Sequence, residues 1–146
     1  MRVGTIMTAL LAAVAVGACG GDSASGPADE YARVAGSYTL VALNGKPLPA
    51  LLVEDATIRV DITSATLVLR ANRTFTESLD SQVKLGASEA QSERQVHNGT
   101  FQLSGATASF TVPAANGFSA FGFTGTINGT VLTYTDELGT YRYERR

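Results

Sequence analysis

From Gly36 onward, apolar side chains recur at every second position, and few windows carry a helical repeat. Tyr38, Leu40 and Ala42 share one face of GSYTLVAL, and Ile58, Val60 and Ile62 share one face of TIRVDIT, with Arg59 and Asp61 between them. Leu67 and Leu69 follow, then Phe75, Leu79, Val83 and Leu85 in TFTESLDSQVKL. The pairs Phe101/Leu103, Phe110/Val112, Phe121/Phe123, Leu132/Tyr134 and Tyr141/Tyr143 complete the series. Interleaved Thr and Ser suit the solvated face, and β-branched Thr suits a strand. Asn-Gly occurs at 44–45, 98–99, 116–117 and 128–129, and predicts type I′ hairpins, whose two central residues both need positive φ. FGFTGTINGTVLTYT, two alternating runs around Asn128-Gly129, is the clearest hairpin. Weaker turns fall at 71–73, 104–106 and 136–139, and LGASEAQSE reads as the polar tip of a long hairpin or as a short helical turn. The pattern predicts eight or nine short antiparallel strands with no room for crossover helices. Alternation alone fits a sandwich as well as a barrel. Closure into an up-and-down barrel is favoured because it removes exposed edges.

The chain before Gly36 follows other rules. Met1 and Arg2 open a segment that is uncharged and rich in Ala, Val and Leu from Val3 to Ala18. It falls short of the ~20 apolar residues of a spanning helix and reads as a secretory signal. Val16-Gly17-Ala18-Cys19 resembles the bacterial lipobox, an apolar residue and two small ones before cysteine. That resemblance implies cleavage before Cys19, a diacylglycerol thioether and an amide-linked acyl chain, the only covalent group expected. The other reading is an ordinary signal peptide with Cys19 incidental. Cys19 is the sole cysteine, so acylation would leave no thiol for redox or metal chemistry. The divisions expected are a signal peptide over 1–18, a flexible acylated tether over 19–33, and a barrel domain over 34–146. The location implied is a bacterial cell envelope, with Gly20 after the cysteine favouring the outer membrane.

At VAGSYTLVALNGKPLP the chain resembles the opening of lipocalin-like domains of bacterial lipoproteins, through Gly36-Ser37-Tyr38 and the loop Asn44 to Pro49. NRTFT (72–76), NGTFQLSG (98–105) and GTYRYERR (139–146) extend the likeness over most of 34–146. Tyr38 stands where that family usually has Trp. The resemblance implies a small barrel with a ligand cavity, and a basic residue of the last strand, Arg142 or Arg145, packed over Tyr38. Pro47 and Pro49 stiffen a loop whose Leu48, Leu51 and Leu52 could cover one barrel end.

After Cys19 the chain carries 10 Lys+Arg against 13 Asp+Glu, a net charge of −3 spread along the sequence. That balance argues against nucleic acid and gives no support for an electrostatically bound membrane surface. Roughly 113 residues follow the tether, enough for one core and not two. No metal site or enzyme is expected: His97 is the only histidine, and no nucleophile elbow or phosphate loop is present. Strict alternation points Glu77 inward with Phe75 and Leu79. If Phe75 pairs with Phe101, His97 stands opposite Leu79, one inward position from Glu77. Burial of a carboxylate is costly, so a bulge near Gly99 or a barrel-mouth position leaving Glu77 in water is the favoured placement. The inward set Tyr38, Phe75, Glu77, Phe101, Phe121, Phe123, Tyr134 and Tyr141 could line a pocket. More often such aromatics simply fill the core of so narrow a barrel. The function expected is a monomeric, lipid-anchored barrel holding a small apolar molecule. The alternative is a tethered structural or protein-contacting, inhibitor-like module with a filled core, docked to an envelope protein.

Overall fold

A computed structural model describes residues 27–115 and 119–146. Among these residues are one helix, α1 (Pro27–Val34), and ten strands: β1 (Gly36–Leu43), β2 (Lys46–Pro47), β3 (Ala50–Glu54), β4 (Ile58–Leu69), β5 (Thr74–Leu85), β6 (Gln91–Ser104), β7 (Thr107–Val112), β8 (Phe121–Asn128), β9 (Val131–Thr135) and β10 (Thr140–Arg145). Every pairing is antiparallel, in the order β2-β1-β10-β9-β8-β7-β6-β5-β4-β3. A further pairing of β1 with β4, Gly36 to Thr39 against Leu69 to Thr66, closes eight strands into an up-and-down, lipocalin-like barrel. The short β2 and β3 lie outside that ring.

Closure follows from the alternation. Tyr38, Leu40, Leu67, Leu69, Phe75, Phe101, Phe110, Leu132 and Tyr143 are all buried, and their strand neighbours face water. At about 25 cal/mol per Å² of apolar surface, this inward face is the main stabilising term in a domain whose described residues hold no cysteine. TIRVDIT and ATLVLR are one strand, β4, because a bulge between Ile62 and Ser64 resets the inward parity without ending the ladder.

The Asn-Gly pairs do not act alike. At Asn44-Gly45 both residues take positive φ, 52° and 74°. Asn128 is still paired with Val131, so that hairpin turns on Gly129 and Thr130, with Gly129 at φ 62°. Asn98-Gly99 is not a turn at all but lies inside β6. Glycine is required there for close approach: a Cβ on Gly99 would stand 2.1 Å from the Thr111 carbonyl oxygen and 2.7 Å from the Phe75 ring. Asn116-Gly117 lies outside the described residues. LGASEAQSE joins β5 to β6 as a hairpin tip, without a helix.

The ends of the barrel differ. One end, marked by the β4–β5, β6–β7 and β8–β9 turns, is closed by α1. Flexible coil was expected through Arg33, yet Pro27–Val34 is helix α1. Proline is well placed in a first helical turn, and Arg33 suits the last. Tyr31 and Val34, three apart on one helix face, are buried against the barrel. The Leu103 N–H donates to the Tyr31 hydroxyl at 3.0 Å, and the Tyr38 hydroxyl donates to the Val34 carbonyl at 2.8 Å. Beyond the other end, β4, β5 and β6 run past their barrel neighbours and form a projecting sheet with β3. Leu48 and Leu52 pack on the core near this end, whereas Leu51 is 36 % exposed.

Candidate functional site

The barrel interior is filled. Aromatic rings contributed by α1 and five successive strands form a continuous column. Centroid separations along it are 5.4 Å for Tyr31–Phe101, 5.9 Å for Phe101–Phe110, and 4.6 Å for each of Phe110–Phe123, Phe123–Tyr134 and Tyr134–Tyr141. Phe75 meets Phe110 edge-on at 5.1 Å. These are contact distances for offset and edge-to-face pairs, and they leave no space between rings for a guest. The expected apolar ligand pocket is therefore corrected. Tyr38, Phe75, Phe101, Tyr134 and Tyr141 are core residues that occupy one another's cavities. Phe121, counted among the interior set, is 43 % exposed and belongs to the rim.

Within this column lies one carboxylate. Glu77 is 4 % exposed, so the mouth or bulge placement is also corrected. No bulge occurs in the β5–β6 ladder, and the register is two residues from the Phe75–Phe101 pairing: Phe75 faces Gly99, and Glu77 faces His97 directly. The two-residue offset preserves parity, so alternation was right about which way Glu77 points. What makes burial tolerable is satisfaction of both oxygens. Glu77 Oε1 accepts from the Tyr143 hydroxyl at 2.7 Å and from the Tyr134 hydroxyl at 3.1 Å, and Oε2 lies 3.3 Å from His97 Nδ1. Among the described residues every buried side-chain nitrogen or oxygen has a partner. Burial first, and the neighbouring Glu77 second, push the Tyr134 and Tyr143 hydroxyls far above the ordinary tyrosine value. Tyr141 is raised as well, chiefly by burial and then by Asp136.

His97 links this cluster to the outside. Its side chain is 30 % exposed, and its ring meets Phe121 edge-on at 5.3 Å. With Nδ1 turned to Glu77, the geometry of an imidazole directs Nε2 away from the carboxylate. The ladder from β6 to β7 ends at Thr100–Thr111, and Pro113, without an N–H, cannot extend it. Beyond it Ala115 makes one isolated bridge. The two walls diverge there around a lateral cleft of about 550 Å³, lined by Val96, His97, Asn98, Val112, Pro113 and Phe121 among others. No hydroxyl is hydrogen-bonded to His97 among the described residues, and no group of three His, Cys, Asp or Glu side chains converges as metal ligands there.

The resemblance to lipocalin-like barrels implied a basic residue over Tyr38, and Arg145 fills that place. It pairs with Tyr38 across β1 and β10 with its guanidinium carbon 6.0 Å from the ring centroid. No protein-family model, curated protein or solved structure matches the chain. Cys19 and its lipidation lie outside the described residues. The sequence pattern missed Tyr31, whose signal was the helix-forming run ADEYARV with Tyr31 and Val34 on one face. Tyr143 was visible only as one more inward aromatic, because nothing in a periodicity names the partner of a hydroxyl.

Proposed function

We propose that this protein acts through its outer surface, as a filled-core module that contacts another protein, held at a bacterial cell envelope by an acylated Cys19. The observation that carries this reading is the unbroken ring column from Tyr31 to Tyr141, which leaves the interior nothing to bind. The cleft beside His97 and the half-paired stretch of β6 supply an irregular, partly apolar surface of the kind that receives a partner's side chains. Val96, at 51 % exposure, and Phe121 stand at its rim. A photo-crosslinking residue placed at Val96 or Phe121, in cells making the full chain, should give one discrete adduct. The same residue at Ser109, on the outer face of β7, should not. Recovery of the monomer alone from all three positions would overturn the reading. Fatty-acid labelling of wild type against Cys19→Ala tests the anchor separately, and equal labelling would remove it.

A further inference from the structure

Eight arginines occur among the described residues, and the fold sorts them into two groups. Arg59 pairs with Asp61 and Glu54, Arg94 with Asp80, and Arg142 with Glu144. The other five are Arg33, Arg70, Arg73, Arg145 and Arg146, of which Arg70, Arg73, Arg145 and Arg146 have no carboxylate within ion-pair distance among the described residues. All five lie at the α1-closed end. Arg33 is in the last turn of α1, Arg70 and Arg73 are in the β4–β5 turn, Arg145 ends β10 and Arg146 follows it.

Their remaining contacts hold some of them in place without neutralising them. The Arg73 guanidinium sits 4.8 Å above the Tyr31 ring, and Arg145 Nη1 donates to the Arg33 carbonyl at 2.6 Å. Arg70 Nη1 donates to the Thr76 hydroxyl at 3.0 Å. Arg33, Arg70, Arg73 and Arg146 are exposed and Arg145 is half-buried. Among the described residues the acids of this end are Asp29 and Glu30, both in α1, and Glu144, already engaged by Arg142. The opposite end and the projecting sheet carry Lys46, Arg59, Lys84 and Arg94 against eight acids between Glu54 and Glu137, the interior Glu77 left aside. A chain with net negative charge thus gathers five arginines at one end, four of them without a carboxylate partner among the described residues.

We infer that this arginine end docks on anionic lipid headgroups, so that the barrel stands on the bilayer with its projecting sheet and lateral cleft turned outward. Guanidinium forks match phosphate geometry, and several held on one rigid end meet a planar array of phosphates together. The chain also enters the barrel here. Cys19 precedes Pro27 by eight residues, a reach of at most ~29 Å, which keeps an anchored domain within contact of the surface through this end. One acyl signal with a basic patch is the combination that makes membrane attachment stable. The choice of a lipid surface rests in part on the acylated Cys19 proposed above, whereas the test removes acylation and reads the arginine end alone.

The full chain carrying Cys19→Ser is floated with vesicles of phosphatidylcholine, alone or mixed with phosphatidylglycerol. The apolar 3–18 segment contributes to both, so the anionic-to-neutral binding ratio is the readout. The ratio should exceed unity and collapse as salt shortens the screening length. Arg33→Ala with Arg146→Ala should lower it about tenfold, whereas Lys46→Ala with Lys84→Ala, the same charge change at the other end, should leave it in place. Unchanged thermal midpoints in both double variants confirm that folding is intact. Equal loss from both pairs, or no anionic preference, would overturn the inference. So would displacement by soluble glycerol phosphate or by polyglutamate at matched charge, which would indicate a free-phosphate site or an acidic protein partner instead.

Discussion

Glu77 and Asp80 stand three residues apart on β5 and on opposite faces of the sheet, and each is held by several donors. Glu77 points into the ring column and takes its hydrogen bonds from two tyrosines whose own burial it shares. Asp80 points outward, bound at 2.6 and 3.0 Å by Arg94 and at 2.7 Å by Ser64, with its side chain 31 % exposed. By local geometry Asp80 has the stronger set: a charge-assisted fork, which with Ser64 holds its pKa at about 2. Yet water competes for every one of those bonds and can replace them. Around Glu77 nothing else can. Burial, more than the count or length of hydrogen bonds, determines which carboxylate the fold depends on.

That contrast can be broken at its strong side first. Glu77→Ala leaves the Tyr134 and Tyr143 hydroxyls buried without an acceptor, and should cost about 3–5 kcal/mol in urea unfolding. Adding Tyr134→Phe and Tyr143→Phe to Glu77→Leu removes both halves of the network and should recover most of that loss. If the triple variant is no more stable than the single one, the cluster holds the fold by something besides pairing.

Alkaline titration sharpens the same point. Tyr134 and Tyr143 have folded pKa values raised above the ordinary 10.0. The unfolded chain therefore releases their protons first, and stability is full below pH 10 and falls above it. Two such groups give a slope of about 3 kcal/mol per pH unit, with tyrosinate absorption appearing together with unfolding. Tyr141 and Tyr38 are raised too and add to the total, so Tyr143→Phe should take about 1.4 kcal/mol per pH unit off the slope at matched starting stability.

The cap comes next. Tyr31→Ala removes the ring between Arg73 and Phe101 and should cost about 2–3 kcal/mol, read by thermal unfolding and by faster amide exchange in α1. Smallest is the exposed carboxylate. Asp80→Asn should change stability by under about 1 kcal/mol. The depressed pKa of Asp80 gives a contribution that is present above about pH 4 and lost as pH falls through about 2. An acid-unfolding profile of Asp80→Asn that differs from wild type only in that window checks the sign.

Much of this architecture was legible in the residues. Tyr38, Phe75, Phe101, Tyr134 and Tyr141 face inward as alternation requires, because a strand's side-chain period is fixed by covalent geometry and does not depend on what the strand packs against. Glu77 was legible in direction but not in consequence. Its placement at the mouth was favoured on the cost of burying a carboxylate, and that cost vanishes only when Tyr134 and Tyr143, more than fifty residues away, deliver their hydroxyls. Asn98-Gly99 misled for a related reason: glycine marks either a positive φ or a close approach, and here Thr111 makes it the second. The tether hid α1, since small polar residues around Tyr31 resemble a linker until Phe101 is there to receive the ring.

What the sequence by itself determined is therefore periodic and local: antiparallel strands and, Phe121 aside, the inward set. What only the tertiary structure decided is everything that depends on distance between remote residues. The column is full because rings from α1 and five strands meet at contact spacing. Glu77 is tolerated because its donors converge. Five arginines share one end because antiparallel strands bring the Arg70–Arg73 turn, the start of β1 and the end of β10 to the same level. Alternation assigns each side chain a face, but only closure and register assign it neighbours, and charge and cavity are properties of neighbours.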